Sequence, residues 1–303
     1  MTLIIIALGE NSAGATLSRY LEGELTHRDT ANGPFQISQH SLASQTYLTC
    51  QLSRKDLSGH GPIYYLASAL TEYIVDEYEM ELIQRLISQE FETMLPEERS
   101  AILLEAEAIL QGRSHSSLTT SARLQSKSDI MNALMDYLSA EDLLILEGFV
   151  HFRLGKYKRY LRHLVHMAAE SIRRERAHRE FTMLLRCFVE MQEPHIEVAH
   201  VIVRPNGLYR VLDSTYSLVD NEYLEGLPAS FVKHELDLED LLISALLTIA
   251  PSNIILHFPP NWLTTDAIQS IFAGKVQFCP GCTHCEGSYK AIEAIKANQS
   301  ERS

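Results

Sequence analysis

Three of the chain's five cysteines fall within seven residues, in the stretch Val276-Gln-Phe-Cys279-Pro-Gly-Cys282-Thr-His-Cys285-Glu286. Pro280 presets φ near about −65° for the second position of a turn, and Gly281 accepts the positive φ of the third. Cys279 to Cys282 is therefore expected to form a type II turn that folds two sulfurs toward one point, with Cys285 extending the cluster.

What leads into this turn limits the architecture. Asn253 to Phe258 is an apolar run of strand length, Thr264 or Thr265 starts a helix through Ile268 and Ile271, and Gly274 ends it. Lys275 to Phe278 then reads as a last strand. A strand, a helix and a strand in this succession require a parallel pair with a right-handed crossover. Phe258 and Phe278 lie at the carboxyl ends of those neighbouring strands, the edge where open α/β sheets place their sites. The same geometry brings His257 beside Cys279.

Upstream, Ile196 to Val203 and Leu208 to Leu212 alternate about the turn signal Arg204-Pro-Asn-Gly207, a β-hairpin. Asp237 is placed to cap a helix from Leu238 to Ile249 that stops before Pro251. Between Ile63 and Phe91 the hydrophobic period is 3.6, giving a long amphipathic helix with Tyr65, Leu66, Leu70 and Tyr73 on one side. Pro96 opens a second helix to Leu110, with Glu97 and Glu98 in its first turn. Gly112 to Ser128 is rich in Ser and Thr and reads as an exposed connector, after which Ser128 or Asp129 caps a helix through Leu138. Residues 142–192 read as mostly helical with a break near Gly155.

At the N-terminus, Leu3 to Leu8 is a short isoleucine-rich strand ended by Gly9, and a helix is expected from Ala15 to Leu25. Gly9-Glu-Asn-Ser-Ala-Gly14-Ala15-Thr16 has the spacing of a phosphate-binding loop. Ala15 stands where that loop needs its lysine, so an ordinary strand-to-helix turn is expected. Phe35 to Gln39 and Thr46 to Leu52 are further short strands. The fold class is thus α+β with long helices in the middle. It divides into a small N-terminal α/β module over 1–60, a helical region over 61–193 with the connector at 112–128, and a C-terminal α/β module over 194–303 that carries the cysteines.

The length of 303 residues allows a large core, and the formal net charge of −13 argues against nonspecific association of the whole molecule with nucleic acid or anionic lipid. The N-terminal apolar run is too short for a signal peptide and lacks a basic leader. A cytoplasmic protein with no membrane span is the expectation. Five cysteines, three of them clustered, suit a reducing compartment and a metal or redox site better than a disulfide framework.

One segment departs from the overall charge. Between His151 and Arg186 ten Lys and Arg face three acids, whereas residues 72–107 carry eleven acids against Arg85 and Arg99. A nucleic-acid contact through Arg153, Lys156, Lys158, Arg159, Arg162, Arg173, Arg174 and Arg176 is one reading. Pairing of two oppositely charged antiparallel helices takes precedence over it, because Leu161, Leu164, Val165 and Ile172 are needed for a core and no exposed aromatics interleave the basic residues. The partner is otherwise an unidentified protein.

The order of pieces in the second half carries a resemblance. Leu146-Glu-Gly-Phe-Val-His-Phe-Arg-Leu154, Phe188-Val-Glu-Met-Gln-Glu-Pro194, Ala199-His-Val-Ile-Val203 with Gly207-Leu-Tyr-Arg-Val-Leu-Asp213, Asp240-Leu-Leu-Ile-Ser-Ala-Leu-Leu-Thr-Ile-Ala-Pro251 and the Cys279 to Cys285 stretch resemble the YtxC-like family of sporulation proteins. The resemblance covers about residues 60 to 290 and implies a cytoplasmic protein of an endospore-forming bacterium. The family supplies no reaction, ligand or catalytic residue to carry over.

The cysteine stretch itself admits three readings. As a metal site, Cys279, Cys282 and Cys285 supply thiolates for zinc, and His257 is the expected fourth ligand, with His284 as its substitute. As a redox site, Cys279 and Cys282 form a dithiol, though too little chain follows for a thioredoxin-like core. As neither, the three thiols merely finish a sheet edge. Cys50 and Cys187 are expected as buried packing residues. The leading function is noncatalytic, a sporulation-associated structural or partner-binding protein with a zinc-stabilised C-terminus. The alternative is a thiol-redox or metal-dependent enzyme using the cluster, with catalytic residues unassigned.

Overall fold

Alternation of buried side chains in Thr2–Leu8 (β1), with Ile4, Ile6 and Leu8 on the covered face, sets the first sheet. The computed structural model describes residues 2–9, 11–26, 35–42, 45–52, 61–113, 120–204, 208–219, 238–260 and 265–300. Phe35–Leu42 (β2) and Gln45–Leu52 (β3) form a hairpin, β3 runs antiparallel to β1, and the short Leu143–Ile145 (β4) lies parallel to β1 on its other edge. The strand order is β2-β3-β1-β4.

Asn11–Thr26 (α1) follows β1 and begins four residues earlier than the sequence reading placed it. At the end of β1 the Gly9 N–H donates to Glu147 Oε1 at 2.6 Å, so a carboxylate occupies a donor that a phosphate would need. Pro62–Glu90 (α2) opens with proline at its first position and runs 29 residues. From Tyr65 to Val75 it is buried nearly all round rather than along one stripe. The reason is that α1 packs against it and Thr120–Ala140 (α4) packs there too, which makes its first half a central helix. Pro96–Leu110 (α3) opens on its proline with Glu97 and Glu98 in the first turn as expected, and the Leu95 N–H donates to Glu98 Oε2 at 3.2 Å.

The expected connector at 112–128 contains the first turns of α4, which starts at Thr120; residues 114–119 lie outside those described. Ser126 is buried there, its hydroxyl donating to the Arg123 carbonyl at 2.8 Å. The polar composition that suggests a loop is thus absorbed by local side-chain bonds within a helix. Leu146–Phe152 (α5) and Gly155–Met191 (α6) follow, with the break at Arg153 and Leu154.

The charge pairing expected between helices is realised at Glu90. Glu90 of α2 takes Arg162 at 2.5 Å and His166 at 2.8 Å from α6. Other acids of α2 pair instead with α4, as in Lys127 to Glu72 at 2.6 Å. Farther along α6, Arg173, Arg176, Arg179 and Arg186 pair with glutamates three or four residues away in their own helix.

The chain divides into two compact units, Met1–Arg174 and Glu175–Ser303, each with its own core. In the first, the strands of the N-terminal sixty residues and the helices after them bury into a single core. In the second, Ile196–Val203 (β5) and Tyr209–Leu212 (β6) are the expected hairpin; residues 205–207 of its turn lie outside those described. Leu238–Ile249 (α7) precedes Pro251–Leu256 (β7), Thr265–Ile271 (α8) and Val276–Phe278 (β8). Asp237 and Thr264, expected as caps, also lie outside the described residues. The β7-α8-β8 run gives the parallel pair that its spacing requires, β5 lies parallel on the other side of β7, and the order is β6-β5-β7-β8. A helix that the sequence reading did not assign, Thr283–Ser300 (α9), closes the unit. The architecture is α+β, and among the described residues no helix is long and apolar enough to cross a membrane.

One buried polar node in the first unit can be tested. The Tyr157 hydroxyl donates to Glu79 Oε1 at 2.8 Å and Arg123 approaches Glu79 Oε2 at 3.5 Å, so the carboxylate is held from two sides in a buried position. Tyr157→Phe removes one partner and is expected to cost about 1–3 kcal/mol in denaturant unfolding. An unchanged midpoint would mean that the carboxylate is satisfied without the phenol.

Candidate metal centre

Backbone pairing past the strand ends positions the cluster. Beyond β7 the His257 N–H donates to the Val201 carbonyl of β5 at 2.9 Å, and beyond β8 the Cys279 N–H donates to the Leu256 carbonyl of β7 at 3.0 Å. Each residue is therefore fixed by the neighbouring strand. Gly281 takes φ +136°, positive as the sequence reading expected but well beyond the about +80° of a type II turn, and Pro280-Gly281 delivers the chain to α9. Cys282 immediately precedes that helix and Cys285 stands in its first turn.

The three sulfurs and one imidazole converge. The ligating atoms of His257, Cys279, Cys282 and Cys285 all lie within 4.8 Å of one another. His257 Nδ1 is 3.2 Å from Cys282 Sγ and 3.4 Å from Cys285 Sγ, and those two sulfurs are 3.8 Å apart. His257 and Cys285 are buried, Cys279 and Cys282 half-buried. This is a His/Cys3 group that could hold a metal ion. His284 lies beside it rather than in it, its ring edge-on to His257 at a centroid distance of 5.9 Å. Cys50 is buried as expected, whereas Cys187 is exposed: it sits on the stretch of α6 from Arg173 to Phe188, most of whose side chains face outward.

The local electrostatics differ from sulfur to sulfur. Burial pushes the Cys285 thiol up to about 12, with the neighbouring Cys279 thiol adding to the effect. Desolvation acts the same way on Cys282, but backbone N–H groups of Cys285 and His284 at the start of α9, with the Cys279 and Cys285 side chains, outweigh it and bring that thiol below its usual range. Burial pushes His257 down to about 4, and the nearby imidazoles of His200 and His284 add to the shift.

Residues that the sequence reading passed over complete the surroundings. His200 of β5 is buried, and its Nδ1 lies 3.0 Å from His257 Nε2. Tyr216 stacks on His200 at 4.5 Å on one side and on His284 at 5.0 Å. A tight turn explains its place: Asp213 Oδ1 accepts from the Thr215 N–H, the Thr215 hydroxyl and the Ser217 N–H, and the residue between them takes φ +61°. The one signal in the sequence was a histidine between Ala199 and Val201, within the apolar run from Val198 to Val203. Ser288 of α9 accepts the Val203 N–H at 3.1 Å, tying the helix to the edge of the same strand.

Comparison with known proteins adds the family. The model of the YtxC-like family matches residues 64–277. A Bacillus subtilis (strain 168) protein described as "Uncharacterized protein YtxC" is 23% identical over 218 residues, covering 71% of this chain and 76% of the relative. No solved structure matches. The matched span includes His200 and His257 and ends before Cys279, so the cysteine cluster rests on the geometry of this chain.

The unequal thiols give a chemical test. In metal-free protein, timed alkylation followed by peptide mapping should modify Cys282 well before Cys285 and Cys50, with Cys187 reacting early because it is exposed. Equal rates at Cys282 and Cys285 would contradict the electrostatic difference.

Proposed function

The chain belongs to the YtxC-like family, and on that premise we propose that it is a noncatalytic structural or partner-binding protein whose C-terminal unit is held together by a zinc ion. One observation carries the reading. With Zn–S bonds of about 2.3 Å and a Zn–N bond of about 2.0 Å, a tetrahedral site has sulfur–sulfur edges of about 3.8 Å and sulfur–nitrogen edges of about 3.5 Å. The separations here are 3.8 Å between Cys282 and Cys285, and 3.2 and 3.4 Å from those sulfurs to His257 Nδ1. The four donors are of the type zinc takes, these three edges have the size of its tetrahedron, and Cys279 Sγ lies within 4.8 Å of the other three ligand atoms. A cluster of two or more irons would spread its ligands over a larger frame.

Cys279, Cys282, Cys285 and His257 would fill all four positions, leaving no site for water or substrate, which is the character of a structural centre. Its ligands come from the ends of β7 and β8 and from the start of α9, so the ion would fasten the helix to the rim of the sheet. Thiolates at a helix N-terminus are also favoured by the dipole of that helix. Sporulation, implied by the family resemblance, is the proposed setting. The cytoplasm is the proposed compartment, since unpaired clustered thiols suit a reducing environment.

The competing reading is a thiol-redox or metal-dependent enzyme. The lowered thiol of Cys282, favoured by backbone N–H groups despite desolvation, is the observation on its side. Against it stands the closed donor set. Protein purified without oxygen is expected to carry about one zinc per chain, to lose it in the Cys279→Ser, Cys282→Ser double variant, and to melt at a lower temperature after chelation. Metal-free protein with a disulfide between Cys279 and Cys282 that cycles readily would transfer the assignment to the redox reading.

A further inference from the structure

A hydrogen bond between two imidazoles requires one proton between them, and its direction decides which nitrogens remain free. His257 Nε2 and His200 Nδ1 are 3.0 Å apart, and both rings are buried. His257 Nδ1 points the other way, to the sulfurs of Cys282 and Cys285. If Nδ1 is to give its lone pair to a metal ion, the proton of the neutral ring must reside on Nε2. That N–H is then enclosed and needs an acceptor. The nitrogen within hydrogen-bonding distance of it is His200 Nδ1.

The acceptor is itself held. The His200 ring is stacked on Tyr216 with planes 24° apart, and Tyr216 in turn stacks on His284 with planes 20° apart. Tyr216 is set between them by the Asp213-centred turn. On the backbone side, His200 pairs with Ile255 across the parallel β5–β7 register, two residues before His257. Both the ring plane and the height of His200 along the sheet are therefore determined by contacts that do not involve the sulfurs.

We propose that His200 is a positioning residue of the metal centre: its Nδ1 accepts the Nε2–H of His257, fixes that tautomer, and so presents the Nδ1 lone pair to the ion bound by Cys279, Cys282 and Cys285. The proposal rests on the zinc reading of the cluster. It also assigns the tautomer of His200, which must carry its own proton on Nε2. Orientation of a ligating histidine through its second nitrogen is a general means of tuning metal affinity.

Zinc affinity measured by competition with a chromophoric chelator tests it, using the full chain and three forms. His200→Phe keeps a ring to stack on Tyr216 but removes the acceptor, and is expected to bind zinc about 10–100-fold more weakly than the unaltered protein. His200→Asn places an amide oxygen near the former Nδ1 and is expected to remain within a few-fold of the unaltered protein. The cobalt-substituted forms of all three should keep the absorption of a site with three sulfurs and one nitrogen, since the ligands are unchanged.

A spectroscopic readout separates positioning from mere packing and needs no variant. In the zinc-loaded unaltered protein, long-range proton–nitrogen correlation should show His257 metal-bound at Nδ1 and protonated at Nε2, with His200 protonated at Nε2. Zinc affinity in His200→Phe equal to that of the unaltered protein would overturn the proposal, as would a His200 protonated at Nδ1; in both cases the zinc site itself would stand. Failure of the unaltered protein to compete for zinc at all would instead remove the site and the positioning role together.

Discussion

Two backbone hydrogen bonds beyond the formal ends of the strands carry the C-terminal site: His257 N–H to the Val201 carbonyl and Cys279 N–H to the Leu256 carbonyl. Parallel strands have an evenly spaced ladder, so these bonds extend the register by one residue and stop where the chain turns away. The imidazole of one strand and the first thiol of the next are thereby placed side by side by main-chain geometry alone. The bend at Pro280-Gly281 then returns the chain as a helix, which adds two more sulfurs from its first turn. Were the β5–β7–β8 register to shift by one residue, His257 would point to the opposite face of the sheet and the cluster would not form.

Much of this was legible from residue order. The crossover unit, its parallel pairing and the joining of His257 to Cys279 follow from an apolar strand, a short helix and a second strand placed before a Pro-Gly turn. The hairpin before them and the proline-opened helices α2 and α3 follow from equally local signals. What local signals could not supply was context. Helix α2 reads as a one-sided helix, yet α1 and α4 cover its other faces. The Ser-rich stretch before residue 128 reads as loop, yet Ser126 satisfies its hydroxyl inside α4. Helix α9 follows so closely on the cysteines that its first turn reads as part of the bend, and its described packing face, Cys285, Ser288, Ala291 and Ile292, is partly polar.

His200 shows the same limit within the site. A histidine within the apolar run from Val198 to Val203 has no sequence partner to announce its role, and its partners come from the end of β7 and from the Asp213 turn. Only the fold brings two imidazoles, a phenol and a third imidazole into contact. The result is a graded environment in which burial and neighbouring rings keep His257 neutral, while the first N–H groups of α9 favour a thiolate on Cys282. A neutral imidazole and ionised thiols are the protonation states in which these groups bind a metal ion. The contacts that fold the unit thus prepare His257 and Cys282, whereas Cys285, which burial holds protonated, must give up its proton when the ion binds.

The zinc site proposed for Cys279, Cys282, Cys285 and His257 can be observed through the metal itself. X-ray absorption at the zinc edge of the protein as purified measures it most directly. The expected first shell has about three sulfurs at roughly 2.3 Å and about one nitrogen at roughly 2.0 Å, with the outer scattering of a single imidazole. A shell of oxygen and nitrogen only, or one in which sulfur is present without an imidazole, would contradict it.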